Sequence, residues 1–213
     1  MNKLVELIYY NSKNCFVTDA EILALLGADT TPNKRYALVK RALASGELIR
    51  IKRGLYCLAK KYHRVPLDLF VVAQAIYYPS YISLYSAMSY HGLIPEAVYS
   101  ITSVSTKRRK SFNTPIATFD FFNVPEKNFL EGIQRIEGES GAFLIATPQK
   151  SILDFVYVFN PDWLDMKWAI EDLRINEDIL MDYKLSSFEQ LEHLYKDKRV
   201  GSFIKMLRKF YEY

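Results

Sequence analysis

The sequence predicts an α+β protein in which a small N-terminal domain, residues 1–61, precedes a larger domain, residues 62–213, that is mainly helical with some strands. Three observations support this fold class. Apolar residues recur at helical spacing at both ends of the chain, residues 48–58 have the pattern of a β-hairpin, and several later segments are rich in β-branched and aromatic residues. These later strands are predicted over residues 98–106, 116–124 and 141–146.

Composition describes a globular chain. Half of the 213 residues are hydrophobic, which is enough to bury one large core or two small ones. No apolar run reaches the roughly 18 to 20 uncharged residues that a membrane span needs, and Glu6 interrupts the segment where a signal peptide would stay apolar. We therefore expect a soluble, cytoplasmic protein. Cys15 and Cys57 lack the partners of a disulfide framework or a metal site, so we expect buried, reduced thiols.

The positive charge is concentrated in the first domain. Residues 1–61 contain eleven Lys or Arg and five Asp or Glu, whereas residues 62–213 contain seventeen and nineteen. The net charge of +4 therefore arises from an N-terminal excess of six, which would attract phosphate groups.

Three helices are predicted in the first domain. The first follows from the i, i+3, i+4 spacing of Leu4, Leu7 and Ile8. Thr18 and Glu21 form the pattern of a capping box at the start of the second helix, which Gly27 ends. Thr31 as N-cap and Pro32 at the first helical position begin the third helix.

The third helix has an apolar arc and an opposite polar arc. The apolar arc holds Leu38, Val39, Ala42 and Leu43, and the polar arc holds Asn33, Lys34, Ala37, Lys40 and Arg41. Arg35 falls within the apolar arc, so its side chain either leaves the helix end toward a phosphate or packs its stem on the core. The candidate DNA-contacting residues of this helix are Thr31, Asn33, Lys34, Arg35, Lys40 and Arg41.

Residues 48–53 alternate apolar and basic side chains before Gly54, and residues 55–58 return as a second strand. We expect one face of this hairpin on the core and Arg50, Lys52 and Arg53 directed outward, suited to phosphate or minor-groove contact. A basic helix followed by a basic hairpin is the order of a winged helix-turn-helix, so we predict DNA binding. Two alternatives remain: the cations serve solubility, or the winged helix contacts only protein.

The second domain is predicted to begin after a polar junction at residues 60–66. Helices are expected over residues 67–77 and 81–95, with Gly92 ending the latter, from Thr147 and Pro148 onward, and through most of residues 163–213. A secondary basic cluster, Lys107, Arg108, Arg109 and Lys110, lies between two predicted strands. It is either a solvated hairpin loop or a site that grips phosphate, RNA or an acidic partner.

Two long segments resemble a known family. Residues 81–95 (YISLYSAMSYHGLIP) and 145–157 (IATPQKSILDFVY), together with the winged-helix residues and Arg108-Arg109 after a strand ending near Thr106, are similar to the AbiEi family of antitoxins and transcriptional regulators. The resemblance covers about residues 1–160, and a Glu usually stands in that family where Gln149 is here. The last 50 residues have no counterpart in this resemblance.

The resemblance implies an antitoxin whose winged helix represses its own promoter. It also implies that the C-terminal domain opposes a co-encoded nucleotidyltransferase toxin, either by direct contact or indirectly. The expected partners are therefore double-stranded promoter DNA and, as a second candidate, that toxin. The principal alternative is a free-standing winged-helix regulator without a toxin, whose C-terminal domain serves ligand or subunit contacts.

No enzymatic site, cofactor or metal is expected. His63, His91 and His193 have no partner at metal or triad spacing, and His91 before Gly92 suits a cation at a helix C-terminus. Asp162 and Asp165 echo a metal-dependent nuclease, the third hypothesis, but their segment has the pattern of a helix start rather than of separated strands. A fourth hypothesis, RNA binding, requires Phe119 and Phe121 on an exposed face beside the basic cluster.

Overall fold

The structure is a computed structural model that describes residues 2–12, 14–27, 29–95, 99–127 and 129–212. The N-terminal unit comprises α1 (Lys3–Asn11), β1 (Phe16–Thr18), α2 (Asp19–Leu26), α3 (Pro32–Ala44), β2 (Leu48–Lys52) and β3 (Leu55–Leu58). Its three strands form an antiparallel sheet in the order β1-β3-β2. Three helices with a β-hairpin after the third are the arrangement of a winged helix-turn-helix, as the sequence predicted.

The helix boundaries of this unit follow the predicted capping signals. The Thr18 side chain accepts from the Glu21 backbone N–H and the Glu21 side chain reaches back to the Thr18 backbone, so the capping box is confirmed. Gly27, with a positive φ of 85°, ends α2. The Thr31 hydroxyl caps α3 and Pro32 occupies its first turn.

The remaining residues combine a six-stranded mixed sheet with helices. After a short 3-10 turn at Lys60–Tyr62, the helices are α4 (Leu69–Ile76), α5 (Leu84–Tyr90), α6 (Pro148–Phe159), α7 (Met166–Leu173), α8 (Glu177–Met181), α9 (Leu185–Glu192) and α10 (Lys198–Tyr211). The strands are β4 (Tyr81–Ile82), β5 (Ser100–Ser105), β6 (Lys110–Asn113), β7 (Thr118–Asn123), β8 (Ile133–Gly138) and β9 (Gly141–Ala146). They run in the order β6-β7-β5-β4-β9-β8, with β5–β7 and β4–β9 parallel. The predicted α+β class is confirmed.

Two predictions about strands differ from the structure, and a third lies partly outside the described residues. Tyr81 and Ile82 belong to strand β4, and the helix predicted over residues 81–95 begins only after Ser83. Strands β6 and β8 were not predicted because their mostly exposed, polar side chains lack an apolar period. The expected strand start at Val98 lies outside the described residues.

Of the two alternatives for the basic cluster, the structure does not support the hairpin loop. Strand β7 lies between β5 and β6 and pairs with both of them. The cluster at residues 107–110 therefore occupies a connection that passes from β5 to the edge strand β6, rather than a tight turn between paired strands.

The small sheet is covered on both faces. Alternate residues of β3 enter different cores: Leu55 and Cys57 join the core of the C-terminal unit, whereas Tyr56 and Leu58 join the core of α1–α3. The expectation that only one face of the hairpin meets a core is therefore wrong, and the physical reason is that all four residues of β3 are apolar or aromatic. The boundary between residues 61 and 62 stays a prediction.

A buried charge network ties α6 to the sheet and to the C-terminal helices. Lys150 Nζ lies 3.5 Å from Asp154 Oδ1, and both side chains are almost fully buried. Three hydroxyls donate to the Asp154 carboxylate: Tyr81 at 3.0 Å, Ser83 at 2.6 Å and Tyr195 at 2.7 Å. Burial and the neighbouring Asp154 raise the pKa of Tyr81 and of Tyr195 well above the usual range, which keeps both hydroxyls protonated as donors.

We predict that Asp154→Asn lowers the free energy of unfolding by about 3–5 kcal/mol, because it leaves the Lys150 ammonium buried without a counter-charge. Glu137→Gln is the matched control, since it breaks the Arg135–Glu137 pair, which is exposed, and is expected to cost under about 1 kcal/mol. Chemical denaturation of both variants measures the difference. Equal, small losses would show that the buried pair is not charged.

Candidate nucleic-acid interface

Helix α3 presents the predicted polar arc to solvent. Thr31, Asn33, Lys34, Lys40 and Arg41 are all exposed. On the opposite side, Val39 and Ala42 are buried in the core of α1–α3. This distribution follows from the 100° rotation per residue, because the apolar positions fix which face turns outward.

One exposed aromatic residue extends this arc beyond the predicted set. Tyr36 is 65% exposed and lies one turn before Lys40 on the same side of α3. A helical wheel drawn from Asn33 places it next to Lys40, so the signal was present in the sequence. An exposed tyrosine among cations can contact a sugar or a thymine methyl group as well as donate a hydrogen bond.

Arg35 is half-buried and lies in the electrostatic neighbourhood of Tyr56 on β3. Burial and the Asp19 carboxylate raise the pKa of Tyr56, whereas Arg50 and Arg35 oppose that rise. The position of Arg35 agrees with the packed-stem alternative, in which the aliphatic part covers the helix–wing junction.

The wing, defined here as residues 48–58, directs only two of its three predicted cations outward. Arg50 and Arg53 are exposed. Lys52 is half-buried and its Nζ donates to the Ile76 carbonyl oxygen at 2.5 Å. The expected outward orientation of Lys52 is therefore wrong. The pairing register of β2 with β3 shifts between Arg50 and Lys52, which turns the Lys52 side chain toward α4. Its ammonium group caps the last turn of α4, where backbone carbonyls lack partners within the helix.

The basic cluster at residues 107–110 lies close to this junction. Burial lowers the pKa of Lys52, and the charges of Lys110 and Lys107 lower it further, which places the three ammonium groups in one positive field. Lys107 donates to the Tyr78 carbonyl just beyond α4. Arg108 and Arg109 remain exposed, with the Arg109 guanidinium 4.7 Å above the Phe122 ring. The structure thus brings together two basic segments that are more than fifty residues apart in sequence.

The RNA-binding hypothesis required Phe119 and Phe121 to expose their rings for stacking on bases. Phe119 and Phe121 are both fully buried beneath β6 and α4 rather than exposed. Aromatic rings can stack on bases only when a ring face is accessible. The RNA-binding hypothesis based on these rings is therefore not supported.

Among the described residues, the other candidate groups form no metal-binding cluster, although Cys57 Sγ lies 3.6 Å from His63 Nε2. Asp165 is the N-cap of α7, accepting from the Trp168 N–H, as the predicted helix start requires. His91 is not a surface cation: its Nε2 donates to the Ala146 carbonyl at 2.8 Å, and burial lowers its pKa. Within residues 2–12, 14–27, 29–95, 99–127 and 129–212, no group of three or more His, Cys, Asp or Glu is placed to hold a metal ion. Cys15 and Cys57 are buried free thiols, as predicted.

A capped basic helix on its own small core, followed directly by a basic hairpin, defines the winged-helix class of DNA-binding proteins. Residues 12–59 match the family model described as "Transcriptional regulator, AbiEi antitoxin", which identifies the winged helix as a domain of that type. The matched description names a regulator and an antitoxin, in agreement with the prediction of a non-enzymatic protein. The match ends at residue 59 and does not include the C-terminal unit.

The curated proteins contain no match to this chain. Across the described residues, no helix is both long and apolar enough to cross a membrane.

We predict that Lys34→Ala and Arg41→Ala each weaken duplex binding and reduce the slope of log affinity against log salt by about one, because each removes one phosphate contact. Lys205→Ala is the control, since Lys205 is equally exposed but lies on α10. Fluorescence anisotropy at several salt concentrations measures both quantities. Slopes unchanged in all three variants would remove α3 from the interface.

Proposed function

We propose that the protein is a cytoplasmic, autoregulatory antitoxin that represses its own toxin–antitoxin promoter. One observation carries this proposal: α3 exposes Asn33, Lys34, Lys40 and Arg41 on a single arc while its other side is fixed by a buried core. A rigid helix with amide and cationic side chains on one arc is suited to reading base edges and phosphates in the major groove. The family match at residues 12–59 supports the regulatory role.

In the proposed complex, each basic segment has a different task. Asn33 on α3 faces the base edges of the major groove, where an asparagine amide can read adenine, and Lys34 and Arg41 contact the phosphates beside it. Arg50 and Arg53 of the wing contact the backbone or the minor groove beside it. Arg108 and Arg109, exposed in the same positive field, add phosphate contacts that strengthen binding without choosing a sequence.

We propose a co-encoded nucleotidyltransferase toxin as the second partner, on the basis of the resemblance of residues 81–95 and 145–157 to AbiEi proteins. Both segments contribute to the core of the C-terminal unit through β4, α5 and α6. The buried Lys150–Asp154 network joins these elements, which supports a rigid body rather than a flexible tail. A free-standing regulator would have the same winged helix without the toxin.

The proposal is tested by titrating the full chain against the DNA upstream of its own gene, with a scrambled duplex as competitor. We expect tighter binding to the upstream DNA, because base contacts from α3 add to the phosphate contacts. Arg109→Ala is expected to weaken binding to both duplexes by the same factor, whereas Asn33→Ala is expected to reduce the preference between them.

A companion experiment separates the antitoxin from the free-standing regulator. The neighbouring nucleotidyltransferase gene is expressed with and without this chain, and cell growth is measured. We expect the chain to restore growth. Promoter binding without any rescue of growth would favour the free-standing regulator, and equal affinity for both duplexes would contradict promoter recognition.

A further inference from the structure

A cleft of about 680 Å³ lies between the wing and the C-terminal unit. Ile49 and Leu58 of the wing form one wall, Leu69 and Ile116 of the C-terminal unit form another, and the connecting segment that contains Val65 closes one side. This volume falls within the range of sites for small organic ligands, and sites of that kind occur preferentially between domains. The lining is predominantly apolar, so the body of a suitable ligand is apolar as well.

The rim of the cleft is positively charged. Lys60 and Arg64 line it, and among the described ion pairs neither has a carboxylate partner. The Arg64 guanidinium lies 4.3 Å from the centre of the Tyr9 ring and 5.7 Å from that of the Tyr10 ring, and no hydrogen bond from its N–H groups is present among the described residues. Two cations beside an apolar cavity are complementary to a ligand that has one anionic head.

The other polar groups of the cleft are already occupied. His63 Nε2 donates to the Leu58 carbonyl at 2.8 Å. Cys57 is fully buried, and burial raises the pKa of its thiol to about 12, so the thiol remains protonated and carries no negative charge. Neither residue therefore places a negative charge in the cleft that would repel an anionic ligand.

We infer that this cleft binds a small amphipathic anion, namely a free carboxylate with an aliphatic body of medium length, whose head contacts Lys60 and Arg64. The choice follows from charge complementarity at the rim and from the apolar walls. The walls belong to the DNA-binding unit and to the unit that carries Arg108 and Arg109, so a bound ligand contacts both units.

The test is a heteronuclear NMR titration of the full chain with octanoate and, as the uncharged counterpart with the same body, octan-1-ol. We expect octanoate to shift the resonances of cleft residues. Lys60→Gln is expected to weaken octanoate binding about tenfold, the effect of losing one charged hydrogen bond, while leaving octan-1-ol binding unchanged. Lys61→Gln is the matched control, because Lys61 is the exposed neighbour whose ammonium lies over the Tyr62 ring and outside the cleft.

A second variant tests the cavity itself. Ile116→Trp places a larger side chain in the cleft from the turn between β6 and β7, and is expected to abolish binding of both ligands. The inference is overturned if octanoate leaves the cleft resonances unshifted, or if Lys60→Gln and Lys61→Gln weaken it equally. Shifts caused by anionic phosphatidylglycerol vesicles but not by octanoate would assign the rim to a membrane surface and would also overturn it.

Discussion

Leu55 and Cys57 pack toward the C-terminal core while Tyr56 and Leu58 pack toward α1–α3, so a single four-residue strand supports both halves of the molecule. Burying each such apolar side chain contributes about 1.5–3 kcal/mol. Because alternate side chains of β3 are buried in the two cores, the winged helix packs directly against the C-terminal unit and is not a separate module on a linker. The orientation of α3 relative to the basic cluster depends on this shared sheet.

The same junction determines which cations are available to a partner. Lys52 donates to the Ile76 carbonyl at the C-terminal end of α4, where the helix dipole and the unpaired carbonyls favour a positive charge, and Lys107 donates to the Tyr78 carbonyl just beyond that end. Lys52 therefore connects the wing to the C-terminal unit, whereas Arg50, Arg53, Arg108 and Arg109 keep their charge at the exposed surface. A lysine point charge suits a single carbonyl, whereas an arginine fork suits a phosphate, which is consistent with this division.

Local chemistry made the N-terminal unit predictable from the sequence. Thr18, Glu21 and Thr31 specify helix starts through hydrogen bonds that span three residues, and Pro32 does so through its fixed φ. The helical period of α3 determines its exposed arc. The position of Lys52, the strand β4 and the order of the mixed sheet were not predictable in this way. They depend on pairings between distant segments, such as Ile82 with Ile145 and Ser103 with Phe121, for which the sequence carries no local signal. The charged network around Asp154 was missed for the same reason.

The central claim is that α3, the wing and the basic cluster form one face that contacts duplex DNA. Hydrogen–deuterium exchange of the full chain, with and without its upstream duplex, tests this claim most directly because it reports on every segment at once. The account predicts added protection over α3, over the wing and over residues 107–113, with α7 and α8 unchanged. Protection confined to the C-terminal helices, with α3 exchanging as in the free protein, would contradict it.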